Sequence, residues 1–153
     1  MTQLKQTPVI RTSIQPRFSD FDALGHLNNA KYLEYVEVAR IHAFADVLGV
    51  RLQEISAVMG TATINFLRPV QLFEKLVLET AIVDVRHHSI DLRITFRSDN
   101  DEGAPKAIVE ARQVVVDAKS GKVREVPDFL KDSISSLVAG RLDHPAVGTS
   151  VLI

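Results

Sequence analysis

At 153 residues, the chain can bury one good core and has little room for a second, so it reads as a single domain over 1–153. Its 18 Lys and Arg nearly cancel 19 Asp and Glu, which leaves no electrostatic footprint for a nucleic-acid partner. No cysteine is present, excluding a thiol nucleophile, thiolate zinc ligands and disulfides. With no signal-peptide pattern and no apolar run near the ~20 residues of a bilayer span, a soluble cytoplasmic protein without a membrane partner is expected.

Residues 8–17 carry Val9, Ile10, Thr12 and Ile14 and stop at Pro16, the pattern of an opening strand. The period then changes. From Ala30 to Gly49 the chain reads as about five helical turns, with Leu33, Val36, Ala39, Ala43, Phe44 and Val47 as the apolar stripe and Gly49 as the stop. Asn28 and Asn29 are the cap candidates, because a short amide side chain can accept from the orphan first-turn amides. Strand-like segments follow near 57–67, 75–86, 88–98 and 105–118, with a short strand near 122–126. The clearest is 88–98, where Ile90, Leu92, Ile94 and Phe96 alternate with polar residues. The turns between them are short, which predicts neighbouring antiparallel strands. Pro127 introduces a short helix, 128–139, before a tail at 142–153 expected to be partly disordered. The fold class is therefore α+β: one long helix against a strongly curved antiparallel sheet of five or six strands, with the core in about 8–127.

Chemistry concentrates in residues 17–40, RFSDFDALGHLNNAKYLEYVEVAR. Two aspartates, a Gly-His and two asparagines crowd a connection that would need only a few turn residues. The string resembles the signature of the 4-hydroxybenzoyl-CoA thioesterase family and of related acyl-carrier-protein thioesterases: Asp20-x-Asp22, Gly25-His26-x-Asn28-Asn29, an aromatic at Tyr32, and Glu37-x-Ala39-Arg40. With Phe66-Leu67-Arg68-Pro69 closing the second strand, the resemblance extends over residues 8–127. It implies the hot-dog fold, a curled sheet wrapped around one helix, and hydrolysis of an acyl-CoA thioester without metal or other cofactor. It also implies a homodimer or a dimer of dimers.

The resemblance makes Asp22 the catalytic carboxylate and Asp20 a structural one. An aspartate ahead of a helix is by itself most often an Asx-turn or cap; the whole signature is what favours catalysis. A carboxylate there can face a thioester whose carbonyl oxygen lies against the unpaired first-turn amides, where developing negative charge is stabilised. The Asn29 amide is the candidate donor, and Asp22 acts either as general base or as nucleophile. His26 is assigned to orienting base, water or carbonyl, against the alternative of a loop strut. Asn28 and Tyr32 are substrate-binding candidates. Arg86, His88 and Ser89 join them through the resemblance, which brings this turn near the thioester pocket or CoA phosphates, often of the neighbouring subunit; otherwise they form a solvated hairpin. Glu37 and Arg40 are expected to be an ordinary surface pair. His87 and His88, taken as strand neighbours, point to opposite faces and make a metal site improbable. The departure from the family pattern is Phe73-Glu74-Lys75, where a Gly-Asp pair commonly opens the next strand, and it is expected to touch a turn rather than the site. The rival readings are an acyl-carrier-protein thioesterase, a non-hydrolytic acyl-thioester binding protein and a hot-dog dehydratase.

Overall fold

A computed structural model describes residues 9–50, 55–100 and 103–139. Five strands, β1 (Ile10–Ile14), β2 (Ile55–Phe66), β3 (Leu76–Val85), β4 (Ser89–Ser98) and β5 (Ala107–Asp117), form one antiparallel sheet in the order β1-β3-β4-β5-β2. Helix α1 (Asn29–Ile41) lies against one face and α2 (Asp128–Val138) follows the sheet. The hairpins β3–β4 and β4–β5 pair as their short turns require. The connection from β2 to β3, residues 67–75, does not make a hairpin, because β2 pairs with β5 and β3 with β1 and β4. The segment at 122–126 runs beside the end of β5, with the Val116–Val123 bridge and bonds from the Asp117 N–H to the Lys122 carbonyl and from the Arg124 N–H to the Val115 carbonyl, but it does not extend as a sixth strand, so among the described residues the sheet has five. The expected tail at 142–153 lies outside the described residues.

Alternation along the strands sorts the two sheet faces. Ile90, Leu92, Ile94 and Phe96 of β4 are fully buried toward the helices, with Leu76 and Leu78 of β3 and Val109 of β5 beside them. The opposite face is polar and carries cross-strand ion pairs: Arg97 with Glu79, Arg93 with Glu110 at 3.0 Å, and Arg112 with Asp91 at 2.8 Å. Such pairs favour register more than stability.

The helix departs from expectation in three ways. Its buried face is Tyr32, Tyr35, Val36 and Ala39, while Leu33 is 40% exposed. Tyr35 is accommodated there because its hydroxyl has a buried acceptor in Asp20, at 2.6 Å. The α-helical winding stops at Ile41 and continues as a π-helix, His42–Val47. Three consecutive residues of that wider turn, His42, Ala43 and Phe44, lie in the interior. Finally, α1 does not cover the sheet alone. Leu130, Ile134 and Leu137 of α2 join Ala43, Phe44, Ile82, Ile90, Leu92 and Val115 in one core cluster. The first half of α1 packs in a second cluster with Ile14, Leu27, Val70, Leu76, Ile94 and Phe96.

Arg40 is more than half of a surface pair. Its guanidinium bonds both Glu37 and the carbonyl of Ala57, and its side chain is only 13% exposed. It therefore ties α1 to the edge strand β2.

Candidate active site

The polar knot lies at the N-terminal end of α1. Asn28 caps the helix, its side chain accepting from the Ala30 amide at 3.0 Å. Asn29 is the first helical residue, and among the described residues its N–H has no protein acceptor. Ahead of the cap, residues 21–27 form a miniature hairpin: Phe21 bridges Leu27, and the Asp22 N–H donates to the His26 carbonyl at 2.8 Å. Gly25, at φ +74°, closes the turn in a conformation that favours glycine.

The two aspartates occupy opposite environments. Asp20 is buried and accepts from the Tyr35 hydroxyl at 2.6 Å and the Arg17 N–H at 3.0 Å, with Arg17 and Lys31 nitrogens at 3.7 and 3.8 Å. Burial opposes its ionisation, yet the Tyr35 bond, the Arg17 amide and the two cations together hold the carboxyl below its ordinary range. The same contact pushes the Tyr35 phenol far up, through burial first and then the bond to Asp20. Asp20 is thus the anchor of the loop. Asp22 is exposed. Its Oδ1 accepts from the N–H groups of Leu24 at 2.9 Å and His26 at 3.1 Å, an Asx-turn that fixes the carboxylate on the hairpin. Among the described residues, Oδ2 carries no protein bond. His26 is half-buried beside it.

Tyr32 is 3% exposed. Its ring meets Phe66 edge-on at 4.9 Å and Phe96 at 5.2 Å, so it forms a wall under the site rather than an open contact. Phe66, at the end of β2, is 50% exposed and extends that apolar wall to the surface.

Arg86, His88 and Ser89 stand elsewhere. They form the β3–β4 turn, whereas the candidate site is at the other end of β3, beside Leu76 and Phe96. Ten residues of strand separate the two ends, about 30 Å. Arg86 is paired with Asp91 at 2.9 Å and Asp84 at 3.4 Å, and Ser89 is buried. His87 and His88 lie in the turn rather than on a strand, and their rings meet edge-to-face at 4.2 Å instead of pointing apart. Among the described residues no three His, Asp or Glu side chains are grouped to hold a metal.

Residues absent from the sequence expectation also border the site. His26 bridges Gln71, whose N–H donates to the Glu74 carboxylate at 2.9 Å, and Glu74 pairs with the buried Lys106 at 3.0 Å. The Phe73-Glu74-Lys75 departure therefore belongs to the turn under the site. Its detection from sequence would have required the pairing of 26 with 71, which no local pattern announces.

A curled antiparallel sheet around one main helix, with a polar loop at the helix head, is the hot-dog fold of the thioesterases. The chain belongs to the thioesterase-like superfamily, whose family model matches residues 16–134. It is 31% identical over 114 residues to protein THEM6 of Danio rerio, covering 72% of this chain and 54% of that protein. The chain thus spans about half the length of that curated relative. It is similar to a thioesterase of Thermus thermophilus solved with coenzyme A and zinc, at 26% identity, TM-score 0.73 and coverage of 87% of this chain and 96% of that one. A putative thioesterase of Pseudomonas aeruginosa has 25% identity, TM-score 0.74 and coverage of 82% and 98%. Among the described residues no helix is long and apolar enough to cross a membrane.

Proposed function

We propose that this chain hydrolyses acyl-CoA thioesters, water and thioester giving free acid and the CoA thiol, with Asp22 as the catalytic carboxylate. The observation that carries this reading is the Asx-turn of Asp22 just ahead of α1, whose leading amide, Asn29 N–H, has no protein acceptor among the described residues. A thioester carbonyl set against that amide would have its developing oxyanion stabilised by an N–H donor and the positive end of the helix. Asp22 then takes a proton from the attacking water or adds to the carbonyl to give a mixed anhydride that water cleaves. His26 orients the reacting groups, Asn28 holds the helix head in place, and Tyr32 with Phe66 bounds the acyl group. The coenzyme A bound by the Thermus relative supports a CoA ester as substrate.

We further propose that the chain works as a homodimer. Strand β2 is a sheet edge twelve residues long, and from Thr61 to Phe66 all residues except Ile64 are exposed. An unpaired edge of that length invites a second strand.

The test is thiol release from short, long and aromatic acyl-CoAs by wild type, Asp22→Asn and Asp22→Ala. Loss of about 10³-fold or more in kcat in both folded variants is expected, the size of effect typical of removing a catalytic group. Full activity in Asp22→Asn sinks the assignment. Activity only on acyl-carrier-protein esters would move the substrate to a protein-borne thioester. Single turnover in H₂¹⁸O tests the nucleophilic route: a first product carrying only ¹⁶O means that Asp22 added to the carbonyl and that water then cleaved the anhydride at the Asp22 carbonyl.

A further inference from the structure

The connection from β2 to β3, residues 67–75, lies directly under the candidate loop. Leu27 N–H donates to the Val70 carbonyl at 3.0 Å, and His26 bridges Gln71. One buried lysine organises this connection. The backbone carbonyl of Lys106 accepts from Leu67 and Arg68, both at 2.9 Å, and its N–H donates to the Phe96 carbonyl at 2.7 Å. Its Nζ donates to the Pro69 carbonyl at 3.3 Å and pairs with Glu74 Oε1 at 3.0 Å. The other Glu74 oxygen accepts the Gln71 N–H at 2.9 Å. A chain of polar contacts therefore runs from the interior, Lys106 to Glu74 to Gln71, and the adjoining Val70 carbonyl, by accepting the Leu27 N–H, holds His26 opposite Gln71. His26 in turn donates its own N–H to Asp22 Oδ1 at 3.1 Å.

Phe73 shows that the arrangement is imposed rather than relaxed. Its φ is +65°, a left-handed conformation costing a phenylalanine about 1–2 kcal/mol, and its ring is 68% exposed, so packing does not offset the strain. The twist turns the chain back so that Glu74 N–H reaches the Gln71 carbonyl at 3.1 Å and the Glu74 carboxylate reaches the Gln71 N–H. Strain of this kind persists where the surrounding structure over-determines it.

We propose that Lys106 and Glu74 form a positioning clamp that sets the backbone of His26, and through it the Asp22 carboxylate, relative to the head of α1. The inference rests on the thioesterase reading for its kinetic consequence, though not for the clamp itself. Glu74 is ionised to do this: burial opposes its charge, but the Gln71 amide, Lys106 and Ser98 hold its carboxyl below the ordinary range.

The experiment joins kinetics to amide hydrogen exchange on Lys106→Met, Lys106→Arg and Glu74→Gln. For Lys106→Met, kcat for acyl-CoA hydrolysis should fall ~10- to 100-fold, the scale of a displacement near 1 Å. KM should stay within about twofold, because neither clamp residue touches the substrate. Exchange at the Leu27 amide should accelerate, and Lys106→Arg should restore most of both. If Lys106→Met does not fold, Glu74→Gln carries the test, since it keeps an acceptor for Gln71 while weakening the pair to Lys106. It should lower kcat and Leu27 protection together, by less. Unchanged Leu27 exchange in a folded variant overturns the clamp, and so does faster exchange with an unchanged kcat. A wild type inactive on every thioester would refute the thioesterase reading instead, and the exchange result would still decide whether the clamp exists.

Discussion

Tyr35→Phe removes one oxygen from the interior and with it the 2.6 Å bond to Asp20. The change in volume is small, so the cost is chiefly the loss of a hydrogen bond to a buried charge, about 1.5–3 kcal/mol. Asp20 retains the Arg17 amide at 3.0 Å and the more distant Arg17 and Lys31 cations, which places the effect nearer the lower figure. For a domain of this size that corresponds to a fall in Tm of roughly 3–12 °C. Its pH dependence follows from the depressed Asp20 carboxyl. A group whose folded pKa lies below its unfolded one contributes stability that is complete above the unfolded value, near 4, and is lost as pH falls through the folded value. The gap between wild type and variant should be constant from about pH 8 to 5 and narrow below pH 4. Calorimetry or circular-dichroism melts across that range read it directly. A variant melting within about 1 °C of wild type at pH 7, or a gap that widens toward acid, would refute the reasoning.

Other positions give smaller tests. Phe73→Gly relieves the left-handed strain at an exposed site and should raise stability by up to about 1 kcal/mol in urea melts, the entropy of glycine offsetting part of the gain. Gly60→Ala places a Cβ 2.9 Å from Val114 Cγ2 at the bulge between Met59 and Thr61 and should cost about 1–3 kcal/mol in the same assay. Arg40→Met breaks the tie between α1 and the Ala57 carbonyl, with a cost of about 1–3 kcal/mol and faster amide exchange along the first half of β2.

The strands were legible because alternation is local: Ile90, Leu92, Ile94 and Phe96 declare their face without reference to any partner. Strand order was not. Nothing in the nine residues between β2 and β3 says that they cross to the far side of the sheet rather than turn back. Only the requirement that β2 pair with β5 imposes it. The helix was legible in extent and cap, at Asn28 and Gly49, but the apolar stripe read from its spacing left out Tyr35, whose hydroxyl is buried with Asp20 as acceptor. Asp22 and His26 stood out by crowding and by resemblance. Glu74 and Lys106 are single charges thirty-two residues apart, and only the fold gives them one address.

The separation of the β3–β4 turn from Asp22 bears on the proposed dimer. Two copies pairing antiparallel along β2 would bring the Phe66 end of one strand beside the Ile55 end of the other. Ile55 lies opposite Asp117, and Ser89 opposite Val114, so the partner's turn sits at that same end. It would be set off by three strand spacings, about 14 Å, in place of the 30 Å that separates turn and site within one protomer. If Arg86 and His88 serve the site at all, they serve it across the two-fold axis. Complementation decides the point. Asp22→Asn and Arg86→Ala/His88→Ala would each be impaired alone, yet a mixed dimer contains one site with Asp22 from one chain and an intact turn from the other. Random mixing makes half the dimers mixed, each with one of two sites restored, so co-refolded protein should recover about a quarter of wild-type kcat. Recovery of nothing, from a mixture shown by mass to contain heterodimers, would refute a turn acting across the two-fold axis, and full activity of Arg86→Ala/His88→Ala alone would place the turn outside the site.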